Sequence, residues 1–547
     1  MHISYNLDIE KSQKILYNEK NETKSLEMEE ITMILKMNDY LDKVKACWLG
    51  KNIGGTLGGP LEGKRGAIDL DFYVHDFSKG ALPNDDLDLQ LVWLIAAEEY
   101  GIKVDSEVLG NYWVSYITPD WNEYGMGKRN LRGGMLPSVS GKYRNTFADS
   151  NGAWIRSEIW ACLAPGHPKI AAKYAYEDAI IDHAGEGVYA EIFCAAMQSA
   201  AFVESDIDKV IDVGLSYIPD DCAIAKAVRF VQALPAKTSD WKAARKLLMQ
   251  EFPSMAFGLV PMAGQEYDPE IPMDNYGYDA PVNIGLMLLG HYYGGGSFSK
   301  AICITAGCGE DADCTAGTLA ALYGIAYGTA GIDQKWVDPI GDEIKTCSVD
   351  VTKMLWRPKT VTELTKSVSQ LMPTFVRKFV GYDENGAVLI YTEDGDMLKA
   401  PAIEVRTDPH KGIVRKTFKE LIYADRMCIR RESPFFKAWA IFDTADVKED
   451  TLIPIDLRVM GKMGLIQRTD WNELIWHVPE DWEVVGGKRS MFTMERAFHE
   501  KYLKTGIIPH NLTQGKYEIT LEIRLGTFPS RIYVPFVFMN ALDEDIE

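Results

Sequence analysis

Two acidic clusters more than two hundred residues apart could do chemistry in this chain: Asn84-Asp85-Asp86 and Glu310-Asp311-Ala312-Asp313. Adjacent carboxylates repel one another unless positive charge sits beside them, and the first turn of a helix offsets part of that repulsion. Both clusters precede segments with helical character. Should the two helix starts meet, their carboxylate and amide oxygens form a cage suited to a hard divalent cation, Mg2+ before Mn2+ or Ca2+. Two cations could share such a cage. Bound ions of this kind hold sugar hydroxyls, activate water and stabilise developing charge, so no covalent nucleophile is needed. Either cluster alone is equally well explained as a pair of acidic helix caps; the recurrence points to a site.

The elements that must position these groups are mostly helices. From Met37, the residues Tyr40, Leu41, Val44, Cys47, Trp48 and Leu49 follow amphipathic helical spacing, and the chain then runs into the glycine-rich Gly54 to Glu62, where Pro60 ends the helix. Leu87 to Tyr100 reads as a buried helix stopped by Gly101, with Asn84-Asp85-Asp86 at its start. Further helices are expected at 168–175, 187–203, 222–234, 241–250, 282–293 and 361–371. After Asp311 comes a helix rich in Ala and Gly, which lets a neighbouring helix approach closely. Beyond about residue 350 the texture turns to β-rich runs at 387–391, 438–442, 519–523 and 532–536, separated by Gly, Pro and Asp turns. The expected organisation is a polar lead-in over 1–36, a mainly α domain over 37–348 and a C-terminal β-rich domain over 349–547, read as a sandwich.

Composition narrows the partners. A chain of 547 residues exceeds one ordinary core, and its 46% hydrophobic and 25% charged residues are those of a globular protein. A net charge of -21 argues against a nucleic-acid polymer as partner, but not against a small anionic substrate at a cation-bearing site. Nine cysteines without a CxxC pair fit a reduced, cytoplasmic compartment, and the spacing of Cys303, Cys308 and Cys314 does not match structural zinc. No signal peptide or membrane span is expected. Gly58 to Lys64 satisfies part of a phosphate-loop pattern, but Arg65 stands where Ser or Thr should follow, and a helix precedes it instead of a strand. Trp471, Trp476 and Trp482 are read as core packing before a sugar-stacking platform.

Taken together, Gly50 to Glu62, Asn84-Asp85-Asp86 and Gly309 to Gly317 resemble, in order and separation, the glycine-rich turn, Thr-Asp-Asp motif and Gly-Asp-Thr-Asp-Thr motif of the ADP-ribosylglycohydrolases. The resemblance covers roughly residues 39–330 and implies an orthogonal helical bundle. It implies a dinuclear magnesium centre on Asp85, Asp86, Asp311 and Asp313, with Asn84 and Cys314 in the places of two family threonine ligands. Glu62 takes the place of an acidic residue that positions water or substrate, and Glu62 or Asp311 would serve as base. Asn151, Gly152 and the residues to Arg156 resemble a loop beside the ribose, and His183 a histidine lining the pocket. Cys314 offers a soft sulfur to a hard ion, a poor match. Leu87 replaces a usual hydroxyl residue, and Trp154-Ile155 a methionine.

The function so implied is metal-dependent hydrolysis of a glycosidic bond to ADP-ribose or a related furanose, on a small molecule or an ADP-ribosylated protein. A different furanoside or nucleoside-like substrate is the alternative, as is a catalytically silent binding or structural role.

Overall fold

The computed structural model describes residues 33–76, 78, 80–252, 267–272, 275–354, 356–401, 404–408, 412–416, 423–462, 470–494, 500–526 and 530–540. Residues 1–32 of the expected lead-in lie outside that set. Its last four residues form a short strand, β1 (Met33–Lys36).

The helical body begins with α1 (Met37–Gly58) and α2 (Asp85–Tyr100), followed by α3 (Ser106–Tyr116), α4 (Asn122–Arg132), α5 (Val139–Lys142), α6 (Glu158–Leu163), α7 (Pro168–Ala179) and α8 (Gly185–Ala200). It continues with α9 (Ile207–Ser216), α10 (Ala223–Ala233), α11 (Trp241–Glu251), α12 (Ala280–Gly294), α13 (Phe298–Gly307), α14 (Ala312–Tyr327), α15 (Gln334–Val337) and α16 (Val361–Val376). Side-chain caps start several of them: Asn84 for α2, Asp105 for α3, Asp206 for α9, Ser297 for α13 and Thr360 for α16. Helix α12 stops at Gly295, whose φ of 62° closes it in the left-handed region. Helix α16 follows the residue-348 boundary read from the sequence, yet it packs on α1 and α6. It buries Val361, Leu364, Val368 and Met372 there.

The central crossing is α1 against α14, and small residues set its register. A Cβ at Gly50 would lie 2.2 Å from the Ala320 carbonyl oxygen, one at Gly54 2.3 Å from that of Ala316, and one at Gly58 2.2 Å from that of Ala312. On the other side, a Cβ at Gly324 would lie 2.2 Å from the Ala46 carbonyl oxygen. Glycines four apart on α1 thus run antiparallel along alanines four apart on α14, backbone against backbone. This contact delivers the start of α14, with Asp311 and Asp313, to the end of α1.

Beyond α16, a small antiparallel sheet of order β1-β3-β2 joins the chain start to β2 (Val380–Tyr382) and β3 (Val388–Thr392). A hairpin of β4 (Glu404–Asp408) and β5 (Gly412–Lys416) follows. Then come β6 (Met427–Glu432), β7 (Phe436–Phe442), β8 (Ile453–Gly461), β9 (Asp470–His477), β10 (Glu483–Val484), β11 (Arg489–Met494), β12 (Glu500–Ile508), β13 (Lys516–Arg524) and β14 (Arg531–Met539). They form two antiparallel sheets, β10-β12-β8-β7-β6 and β11-β9-β13-β14, which enclose a shared core including Phe436, Leu457, Trp476, Leu521 and Phe536. The C-terminal region is therefore a β-sandwich. Met135, Val139 and Tyr143 of the helical body join that core, and the Tyr143 hydroxyl donates to Asp446 Oδ1 at 2.7 Å.

Trp476 and Trp482 are buried in the sandwich and Trp471 is exposed, so the three form no common platform. All nine cysteines are free thiols. No helix among the described residues is long and apolar enough to cross a membrane.

Candidate metal centre

The two acidic clusters converge. Ligand atoms of Glu62, Asp311 and Asp313 lie within 4.8 Å of one another, as do those of Asp86, Asp313 and Cys314. Asp311 sits at the start of α14, Asp86 in the first turn of α2, and Glu62 just beyond the glycine-rich end of α1. Asp311 and Asp313 are buried, while Glu62 is exposed at the rim.

Each acidic group has a distinct environment. The Asp85 carboxylate accepts the Tyr124 hydroxyl at 2.9 Å, and burial holds its pKa above the usual range. Asp86 pairs with the Lys51 ammonium at 3.0 Å, yet burial, helped by Asp313 and Asp85, still pushes it up to about 8. Asp311 is pushed to about 7 by burial first and then by Glu62. Asp313 is raised strongly by burial and by Asp311. Glu62 reaches about 8, with Asp313 as the largest cause, ahead of desolvation. Carboxyls raised together in this way are ones that cannot all ionise without a compensating cation.

Two buried carboxylate oxygens mark where a cation could sit. Buried Oδ1 atoms of Asp311 and Asp313 have no hydrogen-bond partner among the described residues. Carboxylate oxygens left this way need a proton or a metal ion between them. The donor set is all oxygen on this side, Glu62, Asp311 and Asp313, and suits Mg2+ or Mn2+.

Asn84 and Cys314 do not present themselves as oxygen and thiolate ligands. The Asn84 side-chain oxygen caps α2, accepting the Asp86 amide at 2.8 Å, and its Nδ2 therefore faces Asp313 Oδ2 at 3.3 Å. Gly55 makes room for this amide, since a Cβ there would meet Asn84 Nδ2 at 2.3 Å. The Cys314 thiol donates to Asp86 Oδ1 at 3.4 Å, and burial among the carboxylates keeps it protonated. Glu310 turns away from the cluster, bonded by Arg65 and Arg245 and by the Gly277 amide at 2.9 Å.

The 151–156 loop lies beside the cluster. Asn151 Nδ2 donates to Asp311 Oδ2 at 2.8 Å, and its oxygen accepts Trp154 Nε1 at 2.9 Å. The Gly152 carbonyl accepts Arg156 at 2.6 Å, and a Cβ at Gly152 would lie 2.2 Å from Glu123 Oε1. His183 is fully buried behind this loop: Nε2 is 3.0 Å from Ser150 Oγ and Nδ1 is 2.9 Å from Asp182. Asp182 is fixed in turn by Arg156, at 2.7 Å. His183 thus braces the loop and does not face the carboxylates.

Sequence reasoning passed over Lys51, Tyr124, Glu158 and Tyr278. Lys51 did leave a signal: a lysine between Gly50 and Gly54, on a helix face too closely packed for a free ammonium. Tyr278 carried none. Its hydroxyl would be 3.3 Å from a Cβ at Gly63, and its titration feels both Glu62 and Asp311, which places it at the rim.

Residues 36–367 match the sequence profile of the ADP-ribosylglycohydrolases, and the chain belongs to that family. Membership makes the helical body a glycohydrolase-type domain. Among solved structures, an "ADP-ribosylglycohydrolase-related protein complex" is 16% identical with a TM-score of 0.40, over 62% of this chain and 99% of that one. A FixG-related protein from Vibrio parahaemolyticus is 15% identical with a TM-score of 0.17, over 20% of this chain and all of its own. No curated protein matches the sequence.

Proposed function

We propose that this protein hydrolyses a glycosidic bond to ADP-ribose or a closely related ribose-like furanose, in a reaction that depends on a divalent cation. The observation that carries this reading is the convergence of Glu62, Asp311 and Asp313 around buried carboxylate oxygens that lack partners.

A divalent ion on those three residues would supply Lewis acidity and a hold on vicinal sugar hydroxyls. The chain's own groups do the rest. Glu62, open to solvent at the rim, stands where a carboxylate oxygen can take a proton from attacking water. Asp311 is held in one orientation by Asn151, so its free oxygen points at a fixed place. The Asn151–Gly152 loop, braced by Arg156, Glu123 and His183, offers the rigid wall against which a sugar ring can be set.

A panel of ADP-ribosyl-arginine, ADP-ribosyl-serine and simple furanosides, assayed with Mg2+ or Mn2+ and again with chelator, tests the reading. Turnover of at least one ADP-ribosyl substrate, lost on chelation and in Asp311→Asn, is the expected result. Metal-dependent turnover that survives Asp311→Asn would overturn the assignment of the site; hydrolysis of simple furanosides alone would redirect the substrate.

A further inference from the structure

Lys51 reaches from α1 into the inner side of the carboxylate cluster. Its ammonium is 1% exposed and lies 3.0 Å from Asp86 Oδ2 and 3.2 Å from Glu158 Oε1, and it donates to Thr318 Oγ1 at 3.0 Å. Two hydrogen bonds and one ion pair hold the ammonium in place, and it has no lone pair with which to ligate a metal. Glu158 is itself pinned, by Gln90 at 2.8 Å and Gln198 at 3.3 Å. Gly317 leaves room for the lysine stem: a Cβ there would sit 3.3 Å from Lys51 Cδ and 3.6 Å from Asp86 Oδ2.

The cluster is therefore divided. Asp86 Oδ1 accepts the Cys314 thiol at 3.4 Å, and Oδ2, which has no hydrogen-bond partner among the described residues, is ion-paired with the Lys51 ammonium at 3.0 Å. Oδ1 of Asp311 and Oδ1 of Asp313 have no partner among the described residues. An ion bound through Asp86 would share one buried carboxylate with a fixed positive charge, where low dielectric makes like charges repel strongly.

We propose that the Lys51 ammonium occupies the inner cation position, so that this protein binds a single divalent ion, held by Glu62, Asp311 and Asp313. The inference rests on the metal-dependent reading above and departs from the dinuclear centre that the family motifs implied. Lys51 is a positioning and charge-balancing group in it, with no contact to the reacting atoms.

The test counts ions. Full-length protein stripped with chelator is titrated with Mn2+, followed by calorimetry and by electron paramagnetic resonance. One equivalent is expected, with the six-line signal of an isolated ion. Two equivalents giving a spin-coupled pair overturn the proposal and leave the metal-dependent reading standing; no binding overturns both. A Lys51→Met, Glu158→Gln double variant removes the ammonium together with its partner, keeping the buried charge balanced. It is expected to take up a second equivalent, and a folded double variant still limited to one overturns the role given to Lys51. Should that variant not fold, the count on the unaltered protein decides.

Discussion

Asn151 and Asp311, 160 residues apart in sequence, are joined by a buried hydrogen bond of 2.8 Å that fixes one carboxylate oxygen and leaves the other without a partner. Replacing Asn151 by Ala removes that constraint and strands the Trp154 indole as well. A loss of about 10–100-fold in divalent affinity or kcat is expected, the usual effect of removing a group that orients a ligand. Steady-state kinetics across a Mg2+ titration read it, and an unchanged profile would show that the bond does not orient the site.

Asp313→Asn addresses the carboxylate shared by both halves of the cluster. Divalent binding measured by calorimetry is expected to vanish while the protein stays folded. Thermal stability without metal should rise, because folding no longer has to hold a proton on a buried carboxyl that ionises freely in the unfolded chain.

The raised carboxyls set a pH dependence whose sign can be worked out. Asp86 and Glu62 titrate at about 8 and Asp311 at about 7 in the folded chain, against roughly 4 when unfolded. Between about pH 4 and pH 8 the ion-free folded chain thus holds protons that the unfolded chain has released, so stability falls as pH rises. Melting with chelator should give a lower Tm at pH 8 than at pH 6. Added Mg2+ should recover more at pH 8, where the carboxylates bind it without first losing protons. A Mg2+ effect that shrinks with rising pH would contradict this linkage.

The α1–α14 crossing makes a sharper demand on glycine. Gly58→Ala would drive a methyl group to 2.2 Å from the Ala312 carbonyl oxygen and force the two helices apart. Overpacking of this kind costs about 1–3 kcal/mol or more, and the displaced residues adjoin Asp311 and Asp313, so Tm and ion binding should fall together. Gly59→Ala is the control: its nearest neighbour would be Leu82 Cδ1 at 3.8 Å, and its backbone is already right-handed helical. An equal loss in both variants would mean that the close approach is not the cause.

In the sandwich, Trp476→Ala should destabilise by about 3–5 kcal/mol as a buried aromatic, while Trp471→Ala, on the exposed face, should change Tm little. Calorimetric melting distinguishes them.

Much of this molecule was legible in its residue pattern because the pattern is local. The Leu87-to-Gly101 run, capped by Asn84, and the small-residue face of α14 each obey helical spacing, and both fold as read. The amphipathic α9 and α13 went unread although each begins with its own cap, Asp206 and Ser297. What the pattern could not carry was direction. The local pattern offered Asn84 both as a cap and as a ligand without choosing between them, and nothing in it says that Asp86 would turn toward a lysine on another helix. His183 sat in the right stretch of chain but one layer behind the surface it was expected to line.

The three-stranded sheet at the edge of the helical body bears on how the two halves came to be one chain. Lys36 pairs with Leu389 and Val380 with Ile390, so the residues flanking α1 and α16 lie on either side of the single strand β3. With adjacent strands about 5 Å apart, the polypeptide enters and leaves the helical body at points roughly 10 Å from each other. Topologically that body is a closed cassette: its own termini could be spliced by a short linker and new ones opened at a surface loop, which makes circular permutation within 33–392 a feasible rearrangement of this architecture.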